Sequence, residues 1–473
     1  MRLLNLGNAP RTGTQPISEP EVTEFLIRDR RFVLDCNSLV LLELGKGEDI
    51  NSVDIPQFRS CNRPLFPFQL PSQTGYLVLE ACHSCPLRCK YCSVRAHYPG
   101  VDMMLFPVAK KAIDTFFPDR QVVPRIGFFG GEPLLNWHLM YEVTRYVQGR
   151  AYPNPARFHV TTNGVLLSKE KAQFLADNNY SLIVSLDGPK EIHDELRVDQ
   201  KGEGTFDRVM GGLEFLRSVG LGPRITLRVT YTPDTAHTLV IRAGFLNALV
   251  SMGYANHVSI EPAFLTETAC VDMSFAGQGV TVETVTSLEE EYLRVADWYI
   301  EEARAGKRPV FHNITKIIER LLWRLPNVSE CGGGKGYFAV NGKGETFCCH
   351  REQNSRVGNL VTGIDPVLQA PWIDNRLYCR EGCMECPIRY VCGGGCREHS
   401  IGEFGDIHKP SPVECKLKWC FVNAAIWILA ELGPDKLKAI VPEPRRQSGP
   451  PRVGEVFNLP GTNVRVVPGG TPG

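Results

Sequence analysis

The sequence predicts an α/β protein built on a partial (β/α)6 TIM-like barrel, with a small N-terminal β appendage before it and a C-terminal cysteine-rich domain after it. Three observations predict this. Short apolar runs at 76–81, 125–130, 158–162, 181–187, 224–231 and 257–261 alternate with helical segments at 107–117, 137–149, 168–178, 205–219 and 238–251, the rhythm of parallel strands joined by crossover helices. Residues 23–43 alternate apolar and polar positions and read as two or three short strands. Most of the 17 cysteines fall in two blocks, at 82–92 and 331–420.

In chain order, 1–72 is the β-rich appendage and 73–265 the partial barrel, whose functional loops belong at the C-terminal ends of the strands. Residues 266–326 form a helical bridge, in which "LEEEYLRVADWYIEEARAG" and "ITKIIERLLWRL" carry helical spacing. Residues 327–435 form the cysteine-rich domain, in which 327–420 hold few regular apolar patterns, so metal staples must stand in for a large core. A last helix is read at 421–432, and 436–473 is a Pro/Gly-rich tail.

Composition narrows the function. Apolar residues at 43% are ample for buried cores, and 52 Lys plus Arg balance 52 Asp plus Glu, leaving no global attraction for nucleic acid or an anionic membrane. With no signal-peptide core and no membrane-length apolar run, the expected setting is the cytoplasm. There the cysteines are expected as metal ligands or redox groups, not disulfides.

The loop after the first barrel strand, Cys85-Pro-Leu-Arg-Cys89-Lys-Tyr-Cys92, places three thiols where a barrel keeps its chemistry. Three cysteines on a four-iron cluster leave one iron open for a small-molecule chelate. A zinc site completed by Cys82 or His83 is the alternative reading of the loop alone. Further motifs lie at strand ends: "GFFGGEP" after the second, "TTNG" after the third and "SLDGP" after the fourth, followed by His193, Asp194 and Arg197. Gly130 and Gly131 of "GFFGGEP" are read as allowing close backbone approach to a ligand.

Together the cysteine spacing, with Tyr91 before the last cysteine, and these motifs resemble the radical S-adenosylmethionine superfamily. The resemblance implies a 4Fe-4S cluster on Cys85, Cys89 and Cys92 with S-adenosyl-L-methionine on its open iron. It implies cofactor contacts from Tyr91, from Gly130, Gly131, Glu132 and Pro133 around the amino group, and from Thr162, Asn163, Ser185 and Asp187. Arg228 is the candidate for the cofactor's carboxylate, since a guanidinium suits that group. Glu261, closing the sixth strand, reads equally as substrate-facing or structural.

The second block contains Cys331, Gly344, Cys349-His350, then "CMECPIRYVCGGGC" with Cys383, Cys386, Cys392 and Cys396, then Cys415 and Cys420. It resembles the SPASM extension of peptide-modifying radical enzymes, which makes this an iron-sulfur domain with one or two auxiliary 4Fe-4S clusters. The resemblance implies Cys331, Cys349 and Cys396 on the first and Cys383, Cys386, Cys392 and Cys415 on the second. Cys348, or a substrate thiolate at an open iron, would complete the first cluster, and Cys420 is the alternative to Cys415. A structural zinc pair is the competing reading. Cys36, Cys61, Cys270 and Cys379 read as single buried thiols, and Cys82 as a bystander.

The implied activity is cleavage of S-adenosylmethionine to a 5'-deoxyadenosyl radical that modifies a cysteine-containing precursor peptide, with a flavodoxin or ferredoxin as electron donor. "FVLDCNS", "VSIEPAF" and "CGGGC" resemble peptide maturases that form cysteine thioethers, of the six-cysteine-peptide and quinohemoprotein amine dehydrogenase types. Sulfatase maturation is the main alternative; those enzymes place an aspartate base where this chain has His350, here a candidate base with a near-neutral pKa or a bystander. Other SPASM modifications (carbon-carbon cross-linking, epimerisation) and a non-enzymatic electron-transfer or binding role also stand. An edge of the N-terminal strands is a candidate site for an added peptide strand, a plain structural cap being the other reading.

Overall fold

The computed structural model describes residues 22–36, 39, 41–44, 75–92, 103–118, 122–263, 281–351, 353–373, 377–443, 457–458 and 465–466. The readings made for residues 1–21, Cys61, Cys270 and most of the tail lie outside these.

Strands β1 (Val22–Ile27), β2 (Arg30–Asp35) and β3 (Leu41–Leu44) form an antiparallel sheet in chain order. It packs on the helices Glu289–Arg304 and Pro412–Ile440. Phe25 lies 5.4 Å from the Trp419 ring, Arg28 bonds Asp297, and Arg30 bonds Glu431. One face of this sheet is thus covered by the protein itself.

Six parallel strands follow, adjacent in chain order: β4 (Tyr76–Cys82), β5 (Arg125–Gly130), β6 (Arg157–Thr162), β7 (Tyr180–Ser185), β8 (Ile225–Tyr231) and β9 (His257–Pro262). Alternation sets their two faces. In β8 the positions Ile225, Leu227, Val229 and Tyr231 are fully buried, while Thr226, Arg228 and Thr230 are only partly buried. Successive side chains point to opposite faces of a strand, so Arg228 and Thr230 share a face and line the central cavity. The helices Phe106–Phe116, Trp137–Gln148, Lys169–Asp177, Phe206–Ser218 and Leu239–Ser251 cover the other face, and a short helix, Lys190–Leu196, is added between β7 and β8.

The sheet does not stop at β4. Beyond it run β10 (Tyr337–Val340), β11 (Glu345–Phe347), β12 (Arg356–Asn359) and β13 (Gly363–Ile364), giving the order β13-β12-β11-β10-β4-β5-β6-β7-β8-β9. β10 pairs parallel to β4, Tyr337 opposite Tyr76, and the others pair antiparallel. These strands are four residues long at most, too short for alternation to announce them in the sequence.

The terminal helix runs over Pro412–Ile440, well beyond the expected 421–432. Ser411 caps it by accepting the Glu414 N–H, Pro412 opens it, and Gly433 at φ +72° breaks it. Among the described residues no helix is long and apolar enough to cross a membrane.

Candidate active site

The three-cysteine loop is tied down by backbone hydrogen bonds. The N–H groups of Arg88 and Lys90 donate to the carbonyls of Val198 and Leu196, at 2.7 and 3.0 Å. Cys85 Sγ accepts from Leu87 N and from Asn163 Nδ2, each at 3.4 Å, and Arg197 Nη1 lies 3.9 Å from Cys89 Sγ. Burial pushes the Cys85 and Cys89 thiols up. Such buried sulfurs hold a proton until a metal takes its place, and the donors around them suit thiolates. The donor set therefore fits an iron-sulfur cluster.

The turn after β5 is built against this loop. Gly131 N donates to the Cys82 carbonyl and Glu132 N to the Ser84 carbonyl, both at 2.8 Å. A Cβ at Gly130, whose φ is +132°, would lie 2.1 Å from Cys82 O, and one at Gly131 would lie 2.2 Å from Ser84 O. The glycines are required by close approach to the chain's own loop, and both also line the cavity.

Glu132 and Pro133 also differ from expectation. Both are buried outside the cavity wall. The Glu132 carboxylate accepts from Leu134 N at 3.0 Å, Thr162 Oγ1 at 2.8 Å and Asn163 N at 2.7 Å, so it knits two strand ends together. Burial pushes it up to about 7, against those donors.

Asp187 is likewise fully buried and outside the cavity wall. Its carboxylate takes the Tyr91 hydroxyl, the Arg197 guanidinium at 3.0 Å and Thr230 N at 2.9 Å. Burial opposes its charge; Arg197, then His193 and Arg242, outweigh that and hold the carboxyl below the usual range.

A cavity of about 410 Å³ runs from Cys85, Cys89 and Cys92 across Gly130, Gly131, Thr162, Asn163 and Ser185. It continues past Arg228 and Glu261 to His350, Arg351 and His399 of the cysteine-rich region. One cavity thus runs from the three-cysteine loop to residues of the cysteine-rich region. Arg228 Nη1 lies 3.5 Å from Glu261 Oε1 and donates to Ser259 Oγ at 3.3 Å. Asn313 Nδ2 donates to the same Glu261 oxygen at 3.0 Å. Burial works against the Glu261 charge, but Arg228 and Lys418 hold its pKa below the usual value.

His350 lines the far end of the cavity. Burial pushes its imidazole down to about 3, its Nδ1 meets the Tyr337 hydroxyl, and its ring stands edge-on to Phe129 at 4.2 Å. A neutral imidazole there is a hydrogen-bonding group.

In the second block, burial pushes the Cys415 thiol up and the neighbouring Cys392, Cys383 and Cys386 add to the shift. Those four thiols lie together. Cys348, Cys331 and Cys349 form another group, with Cys396 beside Cys349. Cys420 points elsewhere, its Sγ 3.9 Å from the Val285 carbonyl. Cys36, read as an isolated thiol, is fully buried and lies near Cys386. Cys82 Sγ donates to the Glu132 carbonyl at 3.2 Å, the position of a bystander.

Sequence reasoning missed Arg351, His399 and Thr230 as cavity residues, and it gave Arg197 no role. Arg197 followed the "SLDGP" motif at helical distance, the one signal that could have raised it.

The fold and this site define a class. Residues 79–240 match the Radical SAM superfamily, so the chain carries a Radical SAM domain, whose enzymes work with a 4Fe-4S cluster and S-adenosylmethionine. Among the proteins the chain resembles are sulfatase-maturating enzymes and a protein seen with a precursor peptide. A cysteine-type anaerobic sulfatase-maturating enzyme from Clostridium perfringens is 24% identical over 343 residues, 68% of this chain and 88% of that protein. A serine-type anaerobic sulfatase-maturating enzyme from Bacteroides thetaiotaomicron is 32% identical over 150 residues, but these span only 35% of its length. Among solved structures, a histidine-tagged anSMEcpe with bound AdoMet superposes with a TM-score of 0.63 at 20% identity, covering 77% of this chain and 97% of that one. Streptococcus suis SuiB bound to precursor peptide SuiA gives 0.51 at 15% identity, covering 83% and 98%.

Proposed function

We propose that this enzyme modifies a cysteine-containing ribosomal precursor peptide by forming thioether cross-links. The observation that carries the reading is the single cavity that reaches from the three-cysteine loop to His350, Arg351 and His399, which lie next to Cys349 and Cys396 in the sequence. A peptide carbon at one end and a substrate sulfur at the other would lie in one cavity. SuiB, which the chain resembles in fold, is seen with a precursor peptide, and anSMEcpe is seen with the Cp18Cys peptide.

In this reading Cys85, Cys89 and Cys92 hold the site cluster, and Cys383, Cys386, Cys392 and Cys415 hold an auxiliary one. When bound, the site cluster and S-adenosylmethionine supply a 5'-deoxyadenosyl radical, the cofactor's part of the chemistry. The chain supplies binding and position. Arg228 holds the cofactor's carboxylate, Ser185 and Asn163 flank it, and Glu261 fixes the Arg228 fork. His350, neutral and braced by Tyr337, offers a hydrogen bond to the peptide. The many free thiols suit the reducing cytoplasm, and a flavodoxin or ferredoxin is the expected electron source.

Formylglycine formation, named in the sulfatase-maturating relatives, is the second reading. The residue type argues against it: where those enzymes carry an aspartate base this chain has His350, whose Nδ1 is engaged by the Tyr337 hydroxyl. The test is anaerobic reconstitution with dithionite, followed by co-expression with a short cysteine-containing reading frame found beside this one. 5'-Deoxyadenosine together with loss of two hydrogens from the peptide per link is expected. A product that has lost its sulfur would overturn the thioether reading, and an unmodified peptide would overturn peptide modification.

A further inference from the structure

Beside the three-cysteine loop two opposite charges are buried in series. Arg197 Nη1 lies 3.9 Å from Cys89 Sγ, and Arg197 Nε lies 3.0 Å from Asp187 Oδ2. Thiol, cation and anion thus follow one another, with the cation nearer the sulfur. The side chains of Asp187 and Arg197 are 0% and 8% exposed. Asp187 also accepts the Tyr91 hydroxyl and Thr230 N, and its carbonyl accepts from Arg242 Nη1 at 2.5 Å. With these donors the carboxylate is anionic, and the guanidinium beside it is always charged. Tyr91 belongs to the cysteine loop itself, so the pair is anchored to the loop at two points.

An iron-sulfur cluster gains a negative charge when reduced, and its potential follows the nearby charges, hydrogen bonds and exposure. In a dry, low-dielectric setting a fixed charge acts strongly. Resting on the reading of Cys85, Cys89 and Cys92 as ligands, we propose that Arg197 and Asp187 form a charge pair that sets the reduction potential of the cluster held by this loop. Arg197 raises the potential, Asp187 lowers it, and the nearer charge dominates. Both are positioning residues that act through Cys89 and Tyr91, not catalytic residues.

A purely structural role makes a different prediction. If the two side chains only brace the loop, removing either loosens the same contacts and moves the potential the same way. A charge role requires opposite signs.

The experiment is a potentiometric EPR titration of the reconstituted full-length chain, with dithionite as the external electron source. The site cluster is recognised as the signal that changes when S-adenosylmethionine is added. Arg197→Gln is expected to lower its potential and Asp187→Asn to raise it. Arg197→Lys, which keeps the charge, should restore most of the Arg197→Gln shift, and Tyr91→Phe, which changes no charge, should shift less than either. Shifts of the same sign, or a lysine variant no better than the glutamine one, would overturn the pairing; the lysine comparison holds even where Asp187→Asn loses its cluster. A chain with full iron content but no S-adenosylmethionine-responsive signal would instead sink the ligand reading, and this inference with it.

Discussion

The Glu132 carboxylate accepts the backbone N–H of Asn163 at 2.7 Å, fastening the turn after β5 to the turn after β6. Asn163 in turn donates to Cys85. A residue outside the cavity therefore places one that lines it. Glu132→Ala leaves two N–H groups and a hydroxyl buried without that acceptor, and should cost roughly 2–4 kcal/mol in denaturant unfolding of the iron-free chain. Its pH dependence has a definite sign. The folded pKa is raised from 4.5 to about 7, so the contribution is fully present below the ordinary value and is lost as pH rises through the folded one. Thermal unfolding should show the wild type losing stability across that window relative to Glu132→Gln.

Gly131→Ala should displace the cysteine loop, because the new Cβ would meet backbone, not a flexible side-chain tip. Overpacking of this kind costs about 1–3 kcal/mol. Iron analysis should show loss from the S-adenosylmethionine-responsive site with the remaining clusters retained.

Cys415 and Cys420 should separate cleanly. Cys415→Ala removes a thiol from the group formed with Cys383, Cys386 and Cys392, and iron and sulfide per chain should fall by one cluster's content. Cys420→Ala should leave both unchanged and cost about 1 kcal/mol of packing.

Arg228→Met should weaken S-adenosylmethionine binding. A charge-assisted hydrogen bond is worth about 1.5–3 kcal/mol, so the apparent Kd measured by 5'-deoxyadenosine formation should rise roughly tenfold to a hundredfold. Arg228→Lys should recover only part of this, because a lysine lacks the planar fork.

The barrel strands and their helices were legible because each strand is a contiguous apolar run bounded by a helix of clear periodicity. The cysteine loop was legible because its ligands are local in sequence. Side-chain direction was not. Whether Glu132 faces the cavity or the protein depends on Thr162 and Asn163, which belong to another strand, and Arg351 and His399 reach the cavity only through the docking of the cysteine-rich region. The choice between Cys415 and Cys420 was hidden for a simpler reason. Five residues on a helix place two side chains about 140° apart, an argument available only once the helix is known to begin at Pro412 and not at 421.

The pairing of β10 with β4 has a bearing on how the protein is made. Tyr76 finds its neighbour Tyr337 only about 260 residues later, and such distant pairings are slow to form. During synthesis the first barrel strand leaves the ribosome with one edge unpaired, and it stays so until the cysteine-rich region has emerged. An unpaired edge invites foreign strands. Expression that slows the ribosome before Tyr337 should therefore favour aggregation, and a holdase chaperone that shields this edge should raise the yield of chain able to take up iron.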